Sequence, residues 1–202
     1  MLAPEKLLLV YDFAEGGDTV SDMEETVEGP YKELIKTKAR PGEHWNPGTS
    51  LFVFWIGTNN IGDTFSEDDA SGFMSDIFKC VQTVYDTGAR AFLFIDVPPV
   101  ERGPLIVIYP NISQRFASIC SMWNRLFRCR IDAFSEEHPD ASCFQFSSHK
   151  CLNNILDNPT KHSFLQEDVT KYGGEIWVDH IHLTSSVHKI LATDVLEYLR
   201  TV

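Results

Sequence analysis

The residue types best suited to proton transfer lie near the C-terminus, in the segment Asp179-His180-Ile181-His182. A separation of three residues in a loop allows the Asp179 carboxylate to reach the Nδ1–H of His182, which leaves Nε2 free to act as a general base. Asp179 and His180 are adjacent in the chain, and the side chains of adjacent residues diverge. The spacing therefore predicts an Asp179–His182 dyad rather than an Asp179–His180 pair.

Two other interpretations of the same histidines stay open at this point. His180, His182 and His188 form an H-x-H-x5-H pattern, and imidazole nitrogens are common zinc ligands. No H-E-x-x-H motif or carboxylate-rich partner motif accompanies the three histidines. The other interpretation is that these residues are polar side chains that simply face the solvent.

Two glycine-containing segments can supply hydrogen-bond donors to a developing negative charge. Asn59 lies in Gly57-Thr58-Asn59-Asn60, directly after an apolar run, and its Nδ2 can donate to an oxyanion. Gly17 lies in residues 13–19, where the lack of a Cβ lets a backbone N–H approach a bound group closely. Both segments also have the composition of ordinary turns. Neither is a Walker loop or a Gly-x-Gly-x-x-Gly dinucleotide motif.

The apolar pattern predicts strands that alternate with helices. Strands are predicted at residues 7–11, 51–56, 91–95 and 143–146, and the continuous apolar run at 51–56 is typical of a strand buried on both faces. Helices are predicted at 23–37, between Ser66 and Gly88, at 112–134, at 149–157 and after Thr184; the two Pro-Gly pairs in 38–50 indicate a surface loop. This order predicts a single α/β domain over residues 1–202 with a largely parallel sheet. Ligands then bind at the carboxyl ends of the strands, where Gly17, Asn59 and the 96–99 segment fall.

Composition excludes several classes of function. The 202 residues carry 17 Lys and Arg against 29 Asp and Glu, a net charge of −12, which argues against nucleic acid or an anionic membrane surface as the main partner. The longest aliphatic run, residues 7–10, is too short to span a membrane, and no secretory signal follows Met1. Five cysteines without a C-x-x-C motif favour free thiols, with a Cys143–Cys151 disulfide as the alternative.

Taken together, the order Gly17, Gly57-x-Asn59 and Asp179-x-x-His182 resembles the SGNH hydrolases, also known as GDSL lipases and esterases. The sites of that family combine a Ser, a Gly, an Asn and a His. The similarity looks closest to the fungal acetylesterase branch of the carbohydrate esterases. It covers residues 7–199, and residues 51–63, 85–102 and 177–188 support it best. The resemblance implies a three-layer α/β/α, flavodoxin-like fold with a roughly five-stranded parallel sheet.

The resemblance also implies roles for individual residues. His182 would be the general base and Asp179 the carboxylate that orients it. The Gly17 N–H and the Asn59 side chain would form the oxyanion hole. The family's asparagine block usually ends in Asp where this chain has Asn60, so an amide must accept the hydrogen bonds that a carboxylate accepts there. No metal or organic cofactor is implied.

The largest departure from the family concerns the nucleophile. The family's first block, Gly-Asp-Ser at the end of the first strand, is absent from these 202 residues. Gly17-Asp18-Thr19 offers Thr19 as a substitute, but the flanking residues match the glycine block better, and the threonine methyl group would crowd the site. The expectation is therefore an SGNH domain, truncated at the N-terminus, that lacks the first strand and the catalytic serine.

Two functions follow from the resemblance. The first is a carboxylic-ester hydrolase that removes small acyl groups, with a small acyl ester or an acetylated carbohydrate as substrate. The alternative is a non-catalytic relative that binds a carbohydrate or a partner protein. Members of the family are often secreted, whereas no signal peptide is recognised in this chain, so the compartment stays open.

Overall fold

The structure is a computed structural model that describes residues 9–36, 46 and 48–202 of the chain. The elements, in chain order, are α1 (Val20–Thr26), a π-helical turn (Val27–Tyr31), α2 (Lys32–Lys36), β1 (Phe52–Phe54), α3 (Glu67–Asp86), β2 (Ala91–Ile95), α4 (Pro104–Val107), α5 (Pro110–Glu137), β3 (Ser142–Phe146), α6 (Ser148–Asp157) and α7 (Ser185–Leu199). Short 3₁₀ helices span Asn59–Asp63, Val100–Arg102, Pro159–His162 and Gln166–Val169.

The described strands form one parallel sheet in the order β1-β2-β3. Phe52 of β1 pairs with Phe92 of β2, and Ala91 of β2 pairs with Ser142 of β3. Each strand therefore pairs in parallel with the strand that follows it in the chain. The predicted α/β class with a parallel sheet is confirmed, and β2 and β3 lie where the apolar pattern placed them. The described residues contain three strands, against the roughly five that the resemblance implies.

The strand predicted at residues 7–11 is not found in its described part. Leu9, Val10 and Tyr11 have irregular backbone, and Val10 is 76% exposed; residues 7 and 8 lie outside the described residues. No described strand lies beside residues 9–11, and an unpaired strand leaves its backbone N–H and C=O groups without partners. The loop predicted at 38–50 lies outside the described residues except for Asn46 and 48–50.

The prediction that 51–56 is buried on both faces is wrong. Phe54 faces the core, but Val53 is 56% exposed, although its partner in β2, Leu93, is only 2% exposed. The reason is the position of β1 at the edge of the described sheet. On the Val53 face, α7 packs against β3, where Tyr198 contacts Phe146, and this layer does not cover β1.

Two hydrophobic cores hold the layers together. The larger one lies between the sheet and helices α1, α3 and α5, with Phe94 of β2 stacked on Phe78 of α3 and in edge contact with Phe127 of α5. The smaller one joins α6 and α7 to Trp177 and its neighbours. The predicted caps of two helices are confirmed, since Ser66 caps α3 with Asp69 and Thr184 caps α7. The helix predicted at 23–37 begins earlier, at Val20, and a π-helical turn at Val27–Tyr31 divides it.

The five cysteines are free, as predicted, and the alternative Cys143–Cys151 disulfide is not formed. Burial raises the pKa of the Cys120 thiol to about 12. Burial, together with the neighbouring Asp194 carboxylate, also raises the pKa of Cys151 to about 12. Thiols of this kind are poor nucleophiles, because the thiolate is the reactive form.

Candidate active site

Asp179 and His182 are in direct contact. The His182 Nδ1 lies 2.7 Å from Asp179 Oδ2, and a carboxylate can only accept, so Nδ1 is the donor. His180 takes a different environment, with its ring centroid 4.5 Å from that of Tyr172. The structure therefore forms the pair that the three-residue spacing predicts, although the catalytic role of the two residues stays a prediction.

The Asp179 carboxylate itself shapes the loop that carries His182. Its Oδ1 accepts hydrogen bonds from the backbone N–H groups of Ile181 (2.9 Å) and His182 (2.8 Å). The Val178 N–H donates to the His182 carbonyl oxygen at 2.8 Å and closes the turn. A side chain that satisfies the backbone of the next few residues is the usual means by which Asp builds a tight turn. The turn and the dyad thus have a common cause.

Hydrogen bonds from Trp177 and Thr184 fix the base of this loop. Trp177 is 2% exposed, and its Nε1 donates to the Val169 carbonyl oxygen at 2.8 Å. Thr184 donates to the Glu175 carbonyl oxygen at 2.6 Å and caps α7. The tip, in contrast, is open, since the His182 side chain is 72% exposed. A rigid base with an exposed imidazole suits a group that must exchange protons with a bound molecule.

The local hydrogen bonds hold the pKa of Asp179 well below its usual range. The backbone N–H groups of Ile181 and His182 are the larger causes, and the hydrogen bond from the His182 ring adds to them. A carboxylate that stays ionised keeps accepting from Nδ1–H. This fixes the imidazole tautomer with its lone pair on Nε2, as a general base requires.

Asp179 is expected to titrate below the ordinary Asp value of about 3.9 and to do so even in a His182→Ala variant. The two backbone donors remain in that variant, and they are the larger causes of the lowered pKa. Because the folded pKa is lowered, the carboxylate stabilises the fold above about pH 4, and this stabilisation is lost as the pH falls through the folded value. Carboxyl ¹³C NMR measures the titration. If the pKa of Asp179 returned to the ordinary value in His182→Ala, the imidazole would be the main cause of the lowered pKa.

The two predicted oxyanion donors lie on loops that hydrogen bonds join. Asn59 Nδ2 donates to the Asp18 carbonyl oxygen at 2.8 Å, and Asn60 Oδ1 accepts from the Val20 N–H at 3.1 Å. Gly17 adopts a φ of +100°, which favours glycine. The amide oxygen of Asn60 thus accepts from the start of α1, and Asn59 keeps a second amide hydrogen for a ligand.

The hydrogen bonds around the dyad loop connect it to other segments. The Leu105 N–H donates to the His180 carbonyl oxygen at 3.1 Å, and further bonds run to Val169 and Glu175. These hydrogen bonds link the loop to residues other than Gly17 and Asn59, so a single pocket shared by Gly17, Asn59 and His182 stays a prediction.

Thr19 has a structural role at the start of α1. Its hydroxyl donates to Asp22 Oδ2 at 2.6 Å, and its backbone N–H donates to the same oxygen at 2.8 Å. The Thr19 hydroxyl is the largest cause of the lowered pKa of Asp22. A hydroxyl whose proton is held by a helix-capping carboxylate is not paired with His182, as an activated nucleophile would be.

Sequence patterns did not reveal the role of Asp96, which joins β2 to the start of α6. Asp96 Oδ2 accepts from the Ser147 hydroxyl at 2.6 Å, while Oδ1 accepts from the Ser148 hydroxyl at 3.1 Å and from the His149 N–H at 2.9 Å. The Asp96 carbonyl oxygen accepts from Trp55 Nε1 at 3.1 Å. The only local signal was that Asp96 directly follows a buried strand.

Replacing Asp96 with Ala is expected to lower the free energy of unfolding by about 2–3 kcal/mol, because the Ser147 hydroxyl and the His149 N–H lose their acceptor. The Ser148 hydroxyl keeps the Asp96 carbonyl oxygen as its acceptor. Asp96→Asn keeps one acceptor oxygen and should lose less. Urea unfolding of the two variants measures the difference. Equal losses would show that the negative charge, rather than the acceptors, stabilises this contact.

Two further residues support the segments at the carboxyl edge of the sheet. Asn124 of α5 is buried and exchanges two 3.0 Å hydrogen bonds with the backbone of Val97. Trp123, fully buried beside it, lies directly under Gly57, where an added Cβ would be 2.3 Å from Trp123 Cζ2. Gly57 also has a φ of +111°. A polar residue inside the apolar stripe of α5 was the available signal for Asn124, whereas nothing in the sequence indicates the Trp123–Gly57 contact.

The zinc interpretation finds no support in the described part of the chain. Within residues 9–36, 46 and 48–202, no three His, Cys, Asp or Glu side chains come close enough together to hold a metal ion. Across the same ranges, no helix has both the length and the apolar character that crossing a bilayer requires.

Comparison with known proteins points to esterases. No protein-family model matches the chain. An acetylesterase of Thermothelomyces thermophilus is 25% identical over 212 residues, a similarity that covers 94% of this chain and 68% of that protein. A stretch of 84 residues is 27% identical to the dermonecrotic toxin LvSicTox-alphaII1 of Loxosceles variegata, covering 41% of this chain and 30% of the toxin. The first similarity spans nearly the whole chain and supports an esterase relationship, whereas the second covers too little of either protein to carry a function.

Proposed function

We propose that this chain is a carboxylic-ester hydrolase of the SGNH, or GDSL, type that acts on small acyl esters, including acetyl groups on carbohydrates. The observation that carries the proposal is the 2.7 Å Asp179–His182 contact on an exposed loop. The similarity to an acetylesterase over 94% of the chain supports the same chemistry.

In the proposed mechanism, His182 Nε2 removes the proton from a serine hydroxyl as that hydroxyl attacks the ester carbonyl. The Asp179 carboxylate holds the imidazole through Nδ1–H and stabilises the imidazolium that forms. The Gly17 N–H and the free amide hydrogen of Asn59 donate to the oxyanion of the tetrahedral intermediate. As the intermediate collapses, the His182 imidazolium gives its proton to the departing alcohol, and the acyl-enzyme remains. The neutral imidazole then removes a proton from a water molecule that attacks the acyl-enzyme, and its return of that proton to the serine oxygen releases the acid and restores the serine.

The serine of this mechanism would be contributed by a strand paired with β1. The outer edge of β1 has no partner strand among the described residues, and Val53 of this strand is exposed. An apolar edge strand is a ready template for a further strand. We infer that a strand with Gly-Asp-Ser at its carboxyl end, as the SGNH resemblance implies, would pair with β1 and carry the serine.

The test is turnover of p-nitrophenyl acetate by the 202-residue chain and three variants. Without the serine, the rate should be close to background, and the remaining turnover should depend on His182, so that His182→Ala lowers it. Thr19→Ala should change the rate little, and Thr19→Ser is its matched control, because it keeps the helix cap. Substantial turnover that Thr19→Ala abolishes would make Thr19 the nucleophile. Turnover that survives both His182→Ala and Thr19→Ala would contradict the proposed roles.

One observation favours a second candidate, a non-catalytic relative that binds a carbohydrate or a partner protein. The Thr19 hydroxyl is engaged by Asp22, and the 202 residues contain no Gly-Asp-Ser. A domain of this kind would bind an acetylated oligosaccharide and release it unchanged. Calorimetric titration, with the acetyl groups followed by NMR, separates binding from hydrolysis.

A further inference from the structure

Phe65 is the most exposed aromatic side chain in the part of the chain that the structure describes, at 74%. Its neighbours in the chain are, in contrast, held firmly. Thr64 is fully buried, and its hydroxyl donates to the Asn60 carbonyl oxygen at 2.8 Å. The Phe65 N–H donates to Asp69 Oδ2 at 3.1 Å, and Ser66 caps α3. The ring is therefore exposed on a fixed backbone, so a ligand that binds to it meets little cost of ordering the chain.

A guanidinium group covers one face of this ring. Arg115 Cζ of α5 lies 4.9 Å from the centroid of the Phe65 ring, in a cation–π contact. Arg115 Nη2 also lies 3.5 Å from the carbonyl oxygen of Thr64, which holds the guanidinium next to the ring. Because the Phe65 side chain is still 74% exposed with this contact in place, its other face is open to the solvent.

The chain places this ring near the candidate oxyanion donor. Asn59 begins the 3₁₀ helix Asn59–Asp63, and Phe65 follows shortly after the helix ends. At about 2.0 Å per residue in the helix and at most about 3.6 Å per residue beyond it, the Cα atoms of Asn59 and Phe65 are no more than about 15 Å apart. Gly62, between them, is exposed, and an added Cβ there has no atom within 4 Å. A ligand longer than one sugar ring can therefore extend from Asn59 to Phe65.

The chemistry around the ring favours an uncharged sugar. The C–H groups on the flat face of a pyranose pack on an aromatic ring, while its hydroxyl groups stay in water at the rim of the contact. Asp63, Glu67 and Asp68 flank Phe65, and the net charge of the chain is −12, so an anionic ligand is disfavoured. Residues 62–69 contain no other large apolar side chain, so a lipid or a long acyl chain finds little apolar surface here.

We propose that the open face of Phe65 stacks on a neutral pyranose unit of an oligosaccharide whose acetyl ester lies at the candidate site. The inference rests on the proposed ester hydrolysis, and it narrows the substrate class to acetylated oligosaccharides and polysaccharides of uncharged sugars. The acetylated unit then lies at Asn59, and a neighbouring unit lies on Phe65. Arg115 holds the ring from its other face.

Binding to the 202-residue chain tests the inference without relying on turnover. The probes are monoacetylated glucose and xylose, each with one ring, and cellotriose and xylotriose with one acetyl group at the non-reducing end. In calorimetric titration, at least one trisaccharide should bind about tenfold more tightly than its monosaccharide, a difference of about 1.4 kcal/mol. The same trisaccharide oxidised to a carboxylate should bind more weakly. Equal affinities for one and three rings, or tighter binding of the carboxylate form, would overturn the inference.

A matched pair of substitutions locates the effect. Phe65→Ala should reduce the preference for the trisaccharide to less than about twofold, whereas Phe65→Trp should keep it. Leu165→Ala should leave the preference unchanged. Leu165 is 62% exposed, and its N–H donates to Asp168 Oδ2 much as that of Phe65 donates to Asp69 Oδ2. Urea midpoints check that each variant is folded, and equal effects of Phe65→Ala and Leu165→Ala would contradict the inference.

Two further measurements separate this inference from the proposed function and from another occupant. Ester turnover of the same probes is followed on the protein extended with a Gly-Asp-Ser strand. Turnover without a Phe65-dependent preference for a trisaccharide would refute the sugar contact alone. A Phe65-dependent preference without turnover would refute the proposed hydrolysis and support the contact. If phosphatidylcholine vesicles bind in a Phe65-dependent manner while the saccharides do not bind, the ring is a membrane contact and the inference is wrong.

Discussion

An N-terminal extension that adds a β-strand ending in Gly-Asp-Ser is expected to raise p-nitrophenyl acetate hydrolysis by at least about 10³-fold over the 202-residue chain. Oxyanion donors and a general base can stabilise only a tetrahedral intermediate that a nucleophile has formed. His182→Ala in the extended protein should then lower the rate by about 10²–10⁴-fold, the usual contribution of general-base catalysis.

The matched control is the same extension ending in Gly-Asp-Ala, which adds the strand without the hydroxyl. Both extensions should raise the urea midpoint, because each adds a strand to the sheet and covers the exposed Val53. Covering roughly half of a valine side chain contributes about 1 kcal/mol, and the backbone hydrogen bonds add to this. Equal rates with the Ser and Ala extensions would contradict the serine mechanism. A higher midpoint without a higher rate would support the strand position alone.

Gly57→Ala is expected to lower the free energy of unfolding by about 2–5 kcal/mol. The new Cβ would lie 2.3 Å from Trp123 Cζ2 and 2.6 Å from Cε2, and Trp123 is fully buried and cannot move aside. The φ of +111° at Gly57 adds backbone strain for any residue with a side chain. Because Asn59 follows two residues later, the displaced loop should also weaken oxyanion binding. Urea unfolding measures the first effect, and ester kinetics of the protein extended with Gly-Asp-Ser measure the second.

Gly62 provides a matched control in the 3₁₀ helix that follows the same loop. An added Cβ at Gly62 has no atom within 4 Å, so Gly62→Ala should change the free energy of unfolding by less than about 1 kcal/mol. A double-mutant cycle of Gly57→Ala with Trp123→Ala should show strong coupling, since removal of the indole also removes the clash. Additive effects would place the cost of Gly57→Ala in backbone strain rather than in the contact with Trp123.

The parts of the fold that depend on residues close together in the chain were predictable from the sequence. The caps at Ser66 and Thr184 act within one helical turn, and they mark the starts of α3 and α7 correctly. The run at 91–95 is buried on both faces and coincides with β2. The Asp179–His182 contact was predictable for the same reason, because a carboxylate three residues before an imidazole builds the turn that joins them.

Other features depend on residues far apart in the chain, and only the tertiary structure decides them. A strand exists only where another strand pairs with it, so the apolar residues at 9–11 and the outward face of β1 could not be assigned from their own pattern. Asp96 bonds to residues more than 50 positions away, and Gly57 packs against Trp123. No local pattern records such contacts, because they form only when close packing of the layers brings the segments together.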